Sequence, residues 1–140
     1  MQITVPMYEK GRSFVMAAGL VKAYEGHKFV YLHLLCQGFE NIGKALLLAH
    51  NYEKYGPLLR PPNLGHKLDC VLVEVNAALG HSFLSQDAAA ELLRLNKFYK
   101  QQQLRYGDPI DFREVVSSLD ADHLHAELVG HLTALNTKFA

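Results

Sequence analysis

The sequence has no excess of charge: 14 Lys and Arg balance 14 Asp and Glu, and the pI is about 7.1. A domain that binds nucleic acid through its overall field usually has a pI above about 9, so any such binding here needs a local site. Cysteine is scarce. Cys36 and Cys70 lie far apart and form no CxxC pair, which excludes a disulfide framework and fits a reduced intracellular protein. Long apolar runs are missing too, and none reaches the roughly 18–20 residues that span a bilayer. Residues 14–21 are apolar and follow Lys10 and Arg12. Their spacing is helical and Lys22 ends them, so they are read as helix rather than signal peptide, and the expected location is the cytoplasm. No useful stretch alternates apolar and polar residues, which argues against strands. A glycine-rich phosphate loop, G-x-S-x-G, HExxH and Glu-x-x-His are all absent, so the chain offers no common signature of a nucleotide-triphosphatase, a serine hydrolase or a di-iron bundle.

What is present reads as helix. Hydrophobic residues make up 49% and charged residues 20% of the 140 positions, enough to fill a core. A first helix is expected over 8–24, with Phe14, Ala17, Ala18, Val21 and Tyr24 inward and Gly26 as its stop. Ahead of it, residues 2–5 are expected to be extended before Pro6. A second helix is expected over 27–55. It is apolar round most of its circumference, as a central buried helix would be. One polar stripe interrupts it: His33, Gln37, Glu40, Lys44 and Asn51 share a face at 100° per residue. The 56–63 loop holds Pro57, Pro61 and Pro62 and cannot be helical throughout. Asn63 is the expected cap of a third helix carrying Leu68, Val71, Leu72, Val75 and Leu79 and ending at Gly80. Ser85 caps a fourth, with Ala88, Leu92, Leu95 and Tyr99 inward. Gly107 and Pro109 stop it, Asp108 starts another, and Ser117-Ser118 breaks that one. Leu124, Leu128, Leu132, Leu135 and Phe139 make the last stripe. The expectation is one all-α domain over 1–140, an antiparallel helical bundle of five to six helices.

Four groups of residues could carry chemistry. His123, Glu127 and His131 are spaced by four on one helix face, with Asp120 a turn before them, but the set is incomplete for zinc; no metal and no cofactor is expected. Glu40 and Lys44 form an i,i+4 pair, worth only about 0.2–0.5 kcal/mol if exposed and costly to desolvate if it faces the core. Arg60 and His66 are separated by five residues. An arginine can hold a phosphate while a histidine moves a proton, which together could cleave RNA through its 2′-hydroxyl without metal. Tyr99, Arg105 and Tyr106 could stack on a base or contact a phosphate. With Asp69, these give a candidate binding set of Glu40, Lys44, Asp69, Tyr99, Arg105 and Tyr106, and a candidate catalytic pair of Arg60 and His66.

Three stretches resemble the HEPN family of small helical bundles. Gly38-Phe39-Glu40-Asn41-Ile42-Gly43-Lys44-Ala45-Leu46 is similar to that family's acidic-x-x-x-Lys-Ala stretch on its long second helix. Gly65-His66-Lys67-Leu68 is similar to its His-x-Leu start of the third helix. Leu95-Asn96-Lys97-Phe98-Tyr99 with Arg105-Tyr106 is similar to its Tyr and Arg-Tyr stretch on the fourth. Order and spacing agree over about 10–115. The resemblance implies a HEPN-like bundle that forms a homodimer; no membrane association is expected, because no apolar run is long enough to span. It further implies binding of RNA, a nucleotide or a cognate protein partner, in a toxin–antitoxin or phage-defence setting. Some members of the family are metal-independent endoribonucleases with an Arg-x(4–6)-His pattern, which Arg60 and His66 fit. A purely structural interaction domain is the remaining alternative.

Overall fold

In the computed structural model, residues 3–100 and 119–140 are described here. The described residues form helices joined by turns, with no strand among them. We label the helices α1 (Thr4–Ala23), α2 (Lys28–His50), α3 (Tyr52–Tyr55), α4 (Leu68–Leu79), α5 (Gln86–Tyr99) and α6 (Asp122–Lys138); a short 3-10 turn, Gly56–Leu58, follows α3. The architecture is an all-α helical bundle. The neighbours run antiparallel. On α1 and α2, Lys22 lies over the Tyr31 ring, Val15 meets Gly38, and Gly11 meets Ile42; partner numbers rise as the α1 numbers fall. The same order holds between α5 and α6, where Glu91 reaches Leu124 and Ser85 reaches Glu127. No helix among the described residues is long and apolar enough to cross a membrane.

α2 is the central helix, and Leu32, Leu35, Phe39, Ile42 and Leu47 on it are fully buried. Close approach of α1 depends on glycine. A Cβ on Gly38 would lie 2.6 Å from Val15 Cγ2 and 3.2 Å from the Gly11 carbonyl oxygen, and one on Gly11 would lie 2.8 Å from Ile42 Cγ1. Two Cβ-free positions therefore let the α1 and α2 backbones meet at one crossing.

Several expected boundaries move. α1 starts at Thr4, not at residue 8, and the extended segment expected over 2–5 is helical from Thr4 onward. Pro6 is tolerated because it sits in the first turn, where a backbone N–H has no partner to lose. The buried face of α1 is Thr4, Tyr8, Gly11, Val15 and Ala18. Phe14 and Ala17 are only half-buried and Tyr24 is exposed, because the glycine contact turns the helix away from the bulkier stripe. The second helix ends at His50, not at residue 55. Asn51 turns extended, with φ −157° and ψ 94°, and its side chain accepts from Lys54 N to cap α3. The third helix starts at Leu68, not after Asn63. Residues 59–67 instead fold on themselves through Leu64 N to Leu58 O and Gly65 N to Leu59 O, with Gly65 at φ +46°. His66 is thus a loop residue rather than a first-turn one. Lys67 supplies no side-chain cap for α4; Asn96 Oδ1 on α5 accepts from Leu68 N instead, at 2.9 Å. Ser85 caps α5 as expected, accepting from Ala88 N. Arg105, Tyr106, Gly107, Asp108, Pro109 and Ser117-Ser118 lie outside the described residues.

Candidate functional site

A carboxylate at the middle of α2 gathers the site. Glu40 Oε1 accepts from His66 Nδ1 at 2.8 Å and from Tyr99 Oη at 2.8 Å, and Glu40 Oε2 accepts from Lys44 Nζ at 3.0 Å. Three segments meet there: α2, the 59–67 loop and the end of α5. The i,i+4 spacing stacks Glu40 and Lys44 on one face. That face points inward, so both residues are buried, and the small value of an exposed pair does not apply to them. Burying this pair is costly unless its remaining donors and acceptors are filled. Lys44 Nζ also donates to the Gly65 carbonyl at 2.6 Å, which pins the residue before His66.

The hydrogen bonding sets the form of His66. A carboxylate only accepts, so Nδ1 carries the proton toward Glu40 and Nε2 is the nitrogen left for other work. The His66 side chain is 49% exposed whereas that of Glu40 is 11% exposed. The imidazole is therefore anchored at one end and open at the other. The Tyr99 ring meets the His66 ring edge-on, 5.8 Å between centroids at 84°. Burial, and then the Glu40 charge, push the Tyr99 hydroxyl far above its ordinary range, so Tyr99 stays a donor. Burial raises the Cys36 thiol likewise, with Glu40 adding to it; Cys36 is not a thiolate nucleophile.

Beside this cluster lies a groove of about 840 Å³ whose lining includes Glu40, Lys44 and Arg60. Arg60 is exposed and makes no hydrogen bond to His66, which is not on the groove's lining; Glu40 lines the groove and holds the imidazole. Four of the expected residues, Glu40, Lys44, His66 and Tyr99, are thus brought together, with Arg60 on the adjoining groove. Asp69 is not part of the cluster. Its Oδ1 accepts from Asn96 Nδ2 at 2.9 Å, and it lines a separate cavity with Asn63, Cys70 and Val73. Arg105 and Tyr106 lie outside the described residues.

The face of His123, Glu127 and His131 has a different use. His123 Nδ1 bonds Glu91 Oε2 at 2.9 Å, Glu127 accepts from Ser85 N at 2.8 Å and from the Ser85 hydroxyl, and His131 Nε2 bonds the Phe83 carbonyl at 2.8 Å. Each residue goes to its own protein partner, so together they dock α6 against the 83–91 segment. Among the described residues, no group of three or more His, Cys, Asp or Glu is arranged to hold a metal. Glu91 and His123 make a second carboxylate–imidazole pair. Glu91 Oε1 accepts from Leu124 N at 2.8 Å, and His123 Nε2 lies 3.8 Å from Asp87 Oδ2. Glu91 caps α6 through its bond to Leu124 N, whereas Glu40 also lines the groove.

Sequence reasoning missed three members of this arrangement. The Gly65 carbonyl carries no side-chain signal. Asn96 was read only as part of a stretch, although its capping of α4 fixes the start of the helix that follows His66. The buried Glu91 lies one turn from Ala88 and from Leu95 on α5, where a charged residue type gives no sign of burial. The chain matches no family model, no curated protein and no solved structure.

Proposed function

We propose that this chain is a HEPN-like module that binds RNA and cleaves it without a metal ion. The observation that carries the reading is the Glu40–His66 pair: an imidazole fixed through Nδ1 by a buried carboxylate at 2.8 Å, with its other face open. In the proposed reaction His66 Nε2 takes the proton of a ribose 2′-hydroxyl, and the 2′-oxygen attacks the adjacent phosphorus. The bond to the 5′-oxygen breaks, and that oxygen leaves with a proton from solvent, giving a 2′,3′-cyclic phosphate. Arg60 would hold the phosphate oxygens, its fixed fork of donors suiting a non-bridging pair. Glu40 acts through His66, and Lys44 and Tyr99 act through Glu40; these three are positioning residues. The test is cleavage of single-stranded RNA in excess EDTA by wild type, His66→Ala and Arg60→Ala. The proposal expects cleavage that EDTA spares and that either substitution reduces by at least about 100-fold, the usual share of a general acid or base. Undiminished cleavage by folded His66→Ala overturns it.

A second reading, a non-catalytic module that dimerises and binds a nucleotide or protein partner, draws on a different observation. Met16, Leu20 and Tyr24 are exposed along one face of α1, at 57%, 61% and 83%. Sedimentation of wild type and of Leu20→Glu checks it. A dimer that the substitution dissociates, in a protein that binds RNA without cutting it, would favour this reading over the first.

A further inference from the structure

We infer that the groove beside Glu40 is a base pocket, that it takes one unpaired nucleobase of a single-stranded RNA, and that Tyr52 is the side chain on which the base stacks. The inference rests on the RNA reading above and goes beyond it, to how the substrate is held and which form of RNA is accepted. The first argument is electrostatic. The chain carries no net charge, and among the described residues Arg60 is the exposed cation on this lining, which also includes the exposed Glu53. Affinity gained from phosphates grows with the number of cations that neutralise them, so one arginine beside a neutral molecule gives little. The base must supply what the backbone does not.

The second argument is shape. The groove holds about 840 Å³, within the range of small-ligand sites. Its walls include Met7, Leu48, Tyr52 and Pro57, apolar or aromatic surfaces that suit the flat face of a base. Lys44 and Arg60 lie on the same lining as those walls, so a base seated there leaves its phosphate near the arginine. The Tyr52 ring lies over Gly56, 4.0 Å from where a Cβ on that glycine would stand. Glu40 lines the groove and also holds the His66 imidazole, which itself is not on the lining, so the groove and the proposed proton acceptor are linked through that carboxylate. A base stacked and paired inside a duplex cannot enter such a groove, whereas an unpaired base can be turned out onto an aromatic ring.

The experiment compares one RNA sequence as a single strand and as a perfect duplex, with EDTA present. It uses wild type, Tyr52→Phe, Tyr52→Leu and Tyr52→Ala. A short fluorescein-labelled oligoadenylate reports binding by anisotropy in the same buffers. The single strand is expected to be bound and cut and the duplex to be left intact. Tyr52→Ala and Tyr52→Leu should each weaken oligoadenylate binding about ten-fold, the scale of one lost base–aromatic stack, and Tyr52→Phe should match wild type. Tyr52→Leu keeps the bulk of the side chain, so it answers even if Tyr52→Ala fails to fold. Equal cutting of duplex and single strand overturns the inference, as does wild-type binding by Tyr52→Leu. If wild type binds oligoadenylate but cuts nothing, the cleavage reading fails alone, and the Tyr52 series still decides the pocket. No binding by wild type overturns both.

Discussion

At the scale of residues, Lys44 carries the most. It neutralises a buried carboxylate and holds the carbonyl before His66. Lys44→Met should cost about 3 kcal/mol in chemical denaturation, because it leaves Glu40 buried without its cation. Glu40→Gln should cost less, since a neutral amide can still accept from Tyr99. Tyr99→Phe removes one hydrogen bond to a charged acceptor and should cost about 1.5 kcal/mol; a change within error would mean that the hydroxyl does not donate to Glu40. Glu40, Lys44, His66 and Tyr99 were legible as chemistry-bearing residues, because polar side chains on otherwise apolar helices are conspicuous. That they share one carboxylate was not legible. Their meeting depends on where the 59–67 loop turns, and Gly65 at φ +46° sets that turn through backbone geometry that residue types do not display.

At the scale of elements, the α1–α2 crossing and the docking of α6 each make a prediction. Gly38→Ala would place a methyl 2.6 Å from Val15 Cγ2 and against α1 backbone, and should destabilise by about 1–3 kcal/mol, as overpacking does. On α6, His123 and His125 respond to pH in opposite senses. The hydrogen bond to Glu91, followed by the Glu91 charge, raises the value for His123. Its contribution to stability is therefore full below the unfolded value near 6.5 and is lost as pH rises through the raised folded value. Burial, then the Lys22 charge, lowers the value for His125, which bonds Tyr31 Oη at 3.0 Å through Nδ1. Its contribution is present above the unfolded value and is lost as pH falls through the lowered folded one. Melting temperature against pH should show this. His123→Gln should lose most relative to wild type on the acid side, and His125→Gln should gain on wild type as the pH falls. Parallel curves would refute both assignments. The inward stripes of α4, α5 and α6 could be read from 3.6-residue spacing because they are long and clean. That of α1 could not, because small residues rather than large ones define its contact.

At the scale of the whole molecule, balanced charge and a single local site make one account. The proposed grip on one base and one phosphate by a neutral protein predicts weak salt dependence. For a single strand the slope of log affinity against log salt is about −0.7 per phosphate neutralised, so with one phosphate held oligoadenylate binding should fall with a slope of about −0.7. A slope several times steeper would mean binding along the backbone instead. The helical class followed from composition and periodicity, because an apolar α2 has to be central. The groove did not, since it is made by the end of α2, the Asn51 break and the turn after α3, none of which the periodicity of a single long helix foretells. The central claim is that Glu40 and His66 act as one unit. The most direct measurement is a double-mutant cycle on the rate of RNA cleavage in EDTA, with wild type, Glu40→Gln, His66→Ala and the double variant, all shown to be folded. The account predicts that Glu40→Gln slows cleavage in wild type and changes nothing once His66 is gone. Independent, multiplying losses from the two substitutions would contradict it.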